Sequence, residues 1–174
     1  GTADLLIYPA PGAPSRFLHR NRAEQLAKDC AYIVGSIESS ANLRLNGETV
    51  RFGVKGFTLP ELQKFNPFVL ADEASLHPFQ GKKLIISTQT ATEYGLKLGD
   101  YLELDFLGAK RKFYVAALAE PVGPFQYDGQ NNNAIVPLDT IASILNARGQ
   151  VFSLYVKAKD PARKGELQAK LTAA

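Results

Sequence analysis

Residues 91–104, Ala-Thr-Glu-Tyr-Gly-Leu-Lys-Leu-Gly-Asp-Tyr-Leu-Glu-Leu, constrain the fold more than any other stretch of the chain. The segment begins as a helix and ends in strict alternation, so one periodicity must give way to another within a few residues. Gly95 falls where a helix stop wants a left-handed backbone, a conformation glycine adopts without steric penalty. Gly99-Asp100 then makes a second tight turn. After it, Leu102, Leu104 and Phe106 alternate with Tyr101, Glu103 and Asp105, the period of a half-buried strand. Two changes of direction this close together seat a short helix against the mouth of a small barrel or curled sheet. Gly95, Gly99 and Asp100 are therefore read as structural turn residues.

The flanking segments extend the pattern. Residues 83–87, Lys-Leu-Ile-Ile-Ser, read as a short buried strand, with Ser87 or Thr88 capping the helix that follows. Gly108 turns the chain, and 112–120 returns as a hairpin partner. Residues 121–133 form the longest stretch without periodicity. Beyond it, 134–138 read as a strand, and 138–149 as a helix with Asp139 as N-cap and Ile141, Ile144 and Leu145 as its apolar stripe. A long alternating strand over 150–160 leads into a last helix started by Asp160-Pro161.

The first third reads as β-α-β-β. A strand near 4–8 is followed by a helix over 15–30, whose stripe is Ala23, Leu26, Ala27 and Cys30. Cys30, closing that stripe, is expected in the core. Three strand-like runs follow, at 31–39, 41–47 and 48–57. Asn46-Gly47 joins the last two as a hairpin turn, since both central positions of a type I′ turn need a positive φ. Residues 58–83 read as a connector with one helical turn at Leu59–Phe65.

Composition excludes several classes. Hydrophobic residues make up 45% of the 174 and charged residues 21%, which suits a packed core and not a disordered chain. Twenty cations against seventeen anions are spread along the sequence, so no nucleic-acid footprint is expected. A single cysteine rules out an internal disulfide. No apolar run approaches the roughly 20 residues that span a bilayer. Gly1 in place of a methionine, with no Met anywhere, leads to the expectation of a piece excised from a longer protein.

Residues that could carry chemistry are few. His19 and His77 lie in no nucleophile or metal motif, and no Gly-x-x-x-x-Gly-Lys-Ser/Thr phosphate loop is present. Asp100, Glu103 and Asp105 read as solvated charge. Lys110-Arg111-Lys112 reads as a solvated basic turn, with contact to a phosphate or lipid headgroup as the sharper alternative. Phe125 and Tyr127 sit in the aperiodic loop with Asn131 and Asn132. These four are the candidate partner-contact residues, because aromatics exposed on a loop can anchor a partner; packing back onto the sheet is the alternative. No catalytic, metal or cofactor-binding residue is expected.

Residues 82–120, with the strand and helix of 131–145 and the strand of 151–160, resemble the extracytoplasmic domain of FtsX/MacB-type ABC transporter permeases. The resemblance is carried in order by Ile86-Ser87, Gly95-Leu96, Gly99-Asp100, Val136-Pro137-Leu138 and Val151–Val156. It implies an α+β, two-lobed domain: an α/β lobe similar to efflux-pump porter lobes, from 1–77 plus 150–174, with a β-rich lobe of 78–149 inserted into it. It also implies a non-catalytic domain outside the cell membrane, anchored by flanking transmembrane helices. ATP would be hydrolysed by a separate cytoplasmic subunit or domain, and a second permease copy, a lipoprotein or an adaptor are further partners. Two other readings stay open. Gly95–Leu104 also resembles double-psi barrels, which are DNA-binding or enzymatic, and a free solute-binding module would need a deep pocket with convergent polar groups.

Overall fold

A computed structural model describes residues 3, 5–8, 18–19, 27–126 and 132–173. Its longest element is β3, Cys30–Leu45, an unbroken strand of 16 residues. At about 3.3 Å per residue it runs roughly 50 Å. Along its first part β3 pairs antiparallel with β11 (Ser153–Ala158), as far as Ser36 opposite Ser153. From Ile37 onward it pairs with β4 (Glu48–Phe57) instead. The expected break between 39 and 41 is absent. Ser39-Ser40 pairs in register with Val54-Gly53, so the strand changes partner without turning. The Asn46-Gly47 hairpin turn forms as expected, with φ of 52° and 82°.

The second half of β3 closes a six-stranded barrel. β4 pairs in parallel with β9 (Asn132–Pro137), β9 antiparallel with β6 (Lys83–Ser87), and β6 in parallel with β8 (Ala109–Ala119). β8 forms the expected hairpin with β7 (Tyr101–Phe106), and β7 returns to β3 through the single pair Asp105–Asn42. Strands from both expected lobes therefore share the barrel. Alternation fills its inside: Phe52, Leu84, Leu104, Phe113 and Val115 are fully buried there. The opposite faces of β6, β8 and β9 carry Ile85, Ala117 and Ile135. They pack in a second core with Leu59 and Leu62 of helix α1 (Leu59–Phe65). A short strand β5 (Leu70–Glu73), which the expected connector did not reveal, adds to the edge of β8.

The remaining sheet is open. β1 (Leu5–Ile7) pairs with β11, which pairs with the first part of β3. Leu5 stands opposite Val156, so the entering and leaving strands lie side by side in opposite directions. Helix α4 (Lys164–Ala173) follows a turn in which the Asp160 carboxylate accepts from the Ala162 N–H, and it buries Leu167. This α+β architecture matches the expected class.

Four local expectations change. Of the helix expected over 15–30, the described residues show a two-stranded pairing of β2 (Leu18–His19) with β10 (Gln150–Val151) and a 3-10 turn at Ala27–Asp29. Cys30 opens β3 and does not end a helix, although it is buried as expected. Its apolar partners lie across the sheet, where helical spacing says nothing. Asp139 lies within the first turn of α3 (Leu138–Ile144), and the N-cap position is Pro137, because β9 runs straight into the helix. The strand expected over 150–160 is broken at Phe152, whose N–H donates to the Ser36 carbonyl at 2.8 Å.

Candidate interaction surface

The helix-to-strand switch is fixed by hydrogen bonds at each step. Ser87 caps helix α2 (Thr88–Tyr94), its hydroxyl accepting from the Thr90 N–H at 3.0 Å. The helix stops at Gly95, with φ of 66°. The Asp100 carboxylate accepts from the Lys97 N–H at 2.9 Å, closing the second turn on itself. Gly99 and Asp100 are then tied to β8: the Gly99 N–H donates to the Val115 carbonyl, and the Val115 N–H donates to the Asp100 carbonyl. All three expected turn residues serve the backbone.

The aperiodic loop behaves differently at its two ends. Phe125 is 3% exposed and sits edge-on to Phe68, with ring centroids 6.3 Å apart. In this position it anchors the loop to the second core and offers no face to a partner. Asn132 donates its side-chain N–H to the Tyr94 hydroxyl at 2.9 Å, tying the start of β9 to α2. Tyr127 and Asn131 lie outside the described residues.

Where β4 and β9 leave the barrel, a cleft of about 640 Å³ opens. Phe57, Leu59, Phe68, Leu76, Phe79 and Leu138 line it, and Leu70, 40% exposed, stands at its rim. Gln63 is spent on holding the wall, since its amide accepts from the Phe68 N–H and donates to the Phe68 carbonyl. A second hollow of about 510 Å³ adjoins the cleft. Gly81, Asp139 and Thr140 line both, and the Thr140 hydroxyl donates to the Gly81 carbonyl at 2.7 Å between them. Lys82, Arg111 and Arg148 line this second hollow, with Asp139 as its carboxylate. Arg148 donates to the Ser143 hydroxyl at 3.2 Å, and Arg111 to the Lys110 carbonyl at 2.9 Å.

Sequence reading missed Lys82 and Arg148, which are 66 positions apart and meet only through the fold. Arg111 carried a usable signal. On β8 it shares the face of Ala109, Phe113 and Val115, the last two fully buried, while Lys110 and Lys112 point away. Taking 110–112 as one basic block hid the arginine that alternates with core residues. His77 lies exposed on the cleft rim and His19 is exposed on β2. Among the described residues no three His, Cys, Asp or Glu side chains group as metal ligands.

Two solved transporter domains share this overall fold. The extracellular domain of the noncanonic ABC-type transporter YknZ from Gram-positive bacteria superposes with a TM-score of 0.69 at 14% identity, over 93% of this chain and 86% of its own. The periplasmic region of MacB from Actinobacillus actinomycetemcomitans does so with a TM-score of 0.67 at 14% identity, over 97% of this chain and 81% of its own. At that identity the likeness speaks for the fold. No curated protein matches in sequence. The sequence model of the MacB-like periplasmic core domain matches residues 2–174, and the chain belongs to that family. It is an extracytoplasmic domain of a MacB-type ABC transporter permease. No helix among the described residues is long and apolar enough to cross a membrane.

Proposed function

We propose that this domain is a non-catalytic lever, coupling ATP-driven motion of transmembrane helices to the handling of substrate or partner outside the membrane. The reading rests on β3. One uninterrupted strand belongs to the open sheet at one end and to the closed barrel at the other. Displacement of the sheet is then carried into the barrel through backbone hydrogen bonds, with no flexible linker to absorb it. The side-by-side placement of β1 and β11 supports the same reading, because both connections to the rest of the protein would leave the same end of the sheet.

In this scheme the ATPase is a cytoplasmic subunit or domain reached through flanking transmembrane helices. A second permease copy, a lipoprotein or an adaptor meets the domain outside. The division into a lobe of 1–77 plus 150–174 and a lobe of 78–149 is proposed for the surfaces these partners meet, with Tyr127, Asn131 and Asn132 on the contact loop.

The test uses the full-length permease with its ATPase, reconstituted in bilayers. Nitroxides at the exposed positions Arg51 and Lys159 report on the far end of β4 and the root of the open sheet. Through the ATP cycle the Arg51–Lys159 distance is expected to stay fixed, while the Lys159 label shifts against a gadolinium-chelating headgroup lipid. A fixed Lys159 depth during active turnover would overturn the coupling role.

A further inference from the structure

The apolar cleft and the basic hollow share a wall, and together they have the chemistry of a single binding site. The cleft offers aromatic and aliphatic surface on a scale suited to a small molecule. The hollow beside it brings three cations from three elements: Lys82 ahead of β6, Arg111 on β8 and Arg148 after α3. Among the described residues none of the three forms an ion pair with a carboxylate within 4.0 Å; the one pair of that kind is Arg163–Glu166. Among the described residues Asp139 is the only carboxylate lining the hollow, so there three cations less one anion leave a net charge of +2.

Arg111 is the most telling of the three. It occupies an inward register on a strand whose neighbouring inward positions, Phe113 and Val115, are fully buried. The residue is partly buried while its guanidinium donates to the Lys110 carbonyl at an exposed position, so the stem lies on the strand and the charged head faces solvent, where an anion can reach it. Its planar fork of donors suits a phosphate, which can accept two parallel N–H bonds. Apolar surface on one side of the Thr140–Gly81 bridge, and on the other guanidinium groups with no carboxylate partner among the described residues, call for a ligand with both characters.

We propose that the cleft and hollow bind a phosphate-headed amphiphile, its hydrocarbon chain between Phe57, Phe68 and Leu76 and its phosphate on Arg111, Arg148 and Lys82. The site is built from the barrel and its helices, so it stands whether or not the domain acts as a lever. The ligand class covers both a phospholipid drawn from a bilayer and a free phosphate monoester with an alkyl chain.

Calorimetry on the 174-residue chain tests this with dodecyl phosphate below its micelle concentration. Two controls separate the parts: dodecyl maltoside has the same chain with an uncharged head, and inorganic phosphate has the head alone. Dodecyl phosphate is expected to bind at least about tenfold more tightly than either, the weight of roughly one charge-assisted hydrogen bond. Arg111→Gln or Arg148→Gln should bring dodecyl phosphate down to the level of the maltoside and leave the maltoside unchanged. Arg148 is exposed, so its variant keeps the test valid should Arg111→Gln fail to fold. Asp139→Asn should tighten dodecyl phosphate, and Leu70→Glu at the cleft rim should weaken both dodecyl compounds. Equal binding of phosphate alone would overturn the role of the cleft, and equal binding of the maltoside that of the cations. Phosphatidylglycerol vesicles that compete with dodecyl phosphate identify a bilayer source, and vesicles that do not compete leave the soluble ester; either result requires that the dodecyl phosphate signal exist, and its absence sinks the proposal.

Discussion

The barrel and the open sheet share β3 yet are held together by different means. In the barrel each of six strands has a neighbour on both sides, and side chains fill the ring from within. In the open sheet β1 is a three-residue edge strand with Leu6 43% exposed, and the described part of α4 buries Leu167 alone. Closure removes edges and makes every strand depend on the others, whereas an open sheet with a short edge loosens from that edge inward. The difference separates a stiff body from a compliant root within one strand's length.

The largest expected contrast comes from cavities made on each side. Phe113 is fully buried at the centre of the barrel, and Phe113→Ala is expected to cost about 3–5 kcal/mol, near the upper end for a core truncation. Leu167→Ala under the open sheet removes a smaller side chain beside an edge that can relax, and about 2 kcal/mol is expected. Urea unfolding of the two variants measures the gap. Equal costs, or a larger one for Leu167, would mean that closure confers no special stiffness.

A smaller effect is expected where the barrel meets α3. Gly56 on β4 has no room for a side chain: a Cβ there would collide with the Ile141 methyl and approach the Leu138 Cα to 3.3 Å. Ile141 is fully buried and branched at Cβ, so it yields little. Gly56→Ala should cost about 1–3 kcal/mol, as overpacked core sites do. It should also perturb the neighbouring cleft, which Leu138 lines. A neutral Gly56→Ala would show that α3 rides loosely on the barrel.

The parts legible in the sequence were those fixed locally. Asn46-Gly47 and Gly95 name their own turns, and Leu102, Leu104 and Phe106 name their own face. The single strand of 30–45 was not legible, because its polar stretch at Ser39-Ser40 interrupts the apolar pattern and only the pairing with Val54-Gly53 of β4 shows it to be continuous. Phe125 was open in the sequence and lies buried, since an aromatic in a loop carries no sign of which way it faces. The basic hollow was illegible for a deeper reason: Lys82 and Arg148 come together only once the barrel has closed.

The smallest expected effect is on pH dependence, and it belongs to the open sheet. Burial pushes the Tyr155 phenol on β11 up, with the Glu38 carboxylate adding to the effect. Burial also pushes the Cys30 thiol at the start of β3 up, with Asp29 adding and Lys159 opposing. A group raised in this way keeps its proton in the folded state after the unfolded chain has lost it, so the unfolded state binds fewer protons and stability falls as pH rises. For Tyr155 the contribution is complete below about pH 10, the ordinary phenol value, and is lost as pH climbs through the higher folded value. For Cys30 the loss begins lower, from the ordinary thiol range upward. Urea midpoints between pH 8 and 11 should decline, and Tyr155→Phe should flatten the upper part of that decline. Since both groups sit in the open sheet, Cys30 should become open to alkylation at urea concentrations where the circular dichroism of the barrel is still native. Alkylation that appears only with global unfolding would mean that β3 binds the two regions into one cooperative unit, and the contrast between them would then be one of shape and not of stability.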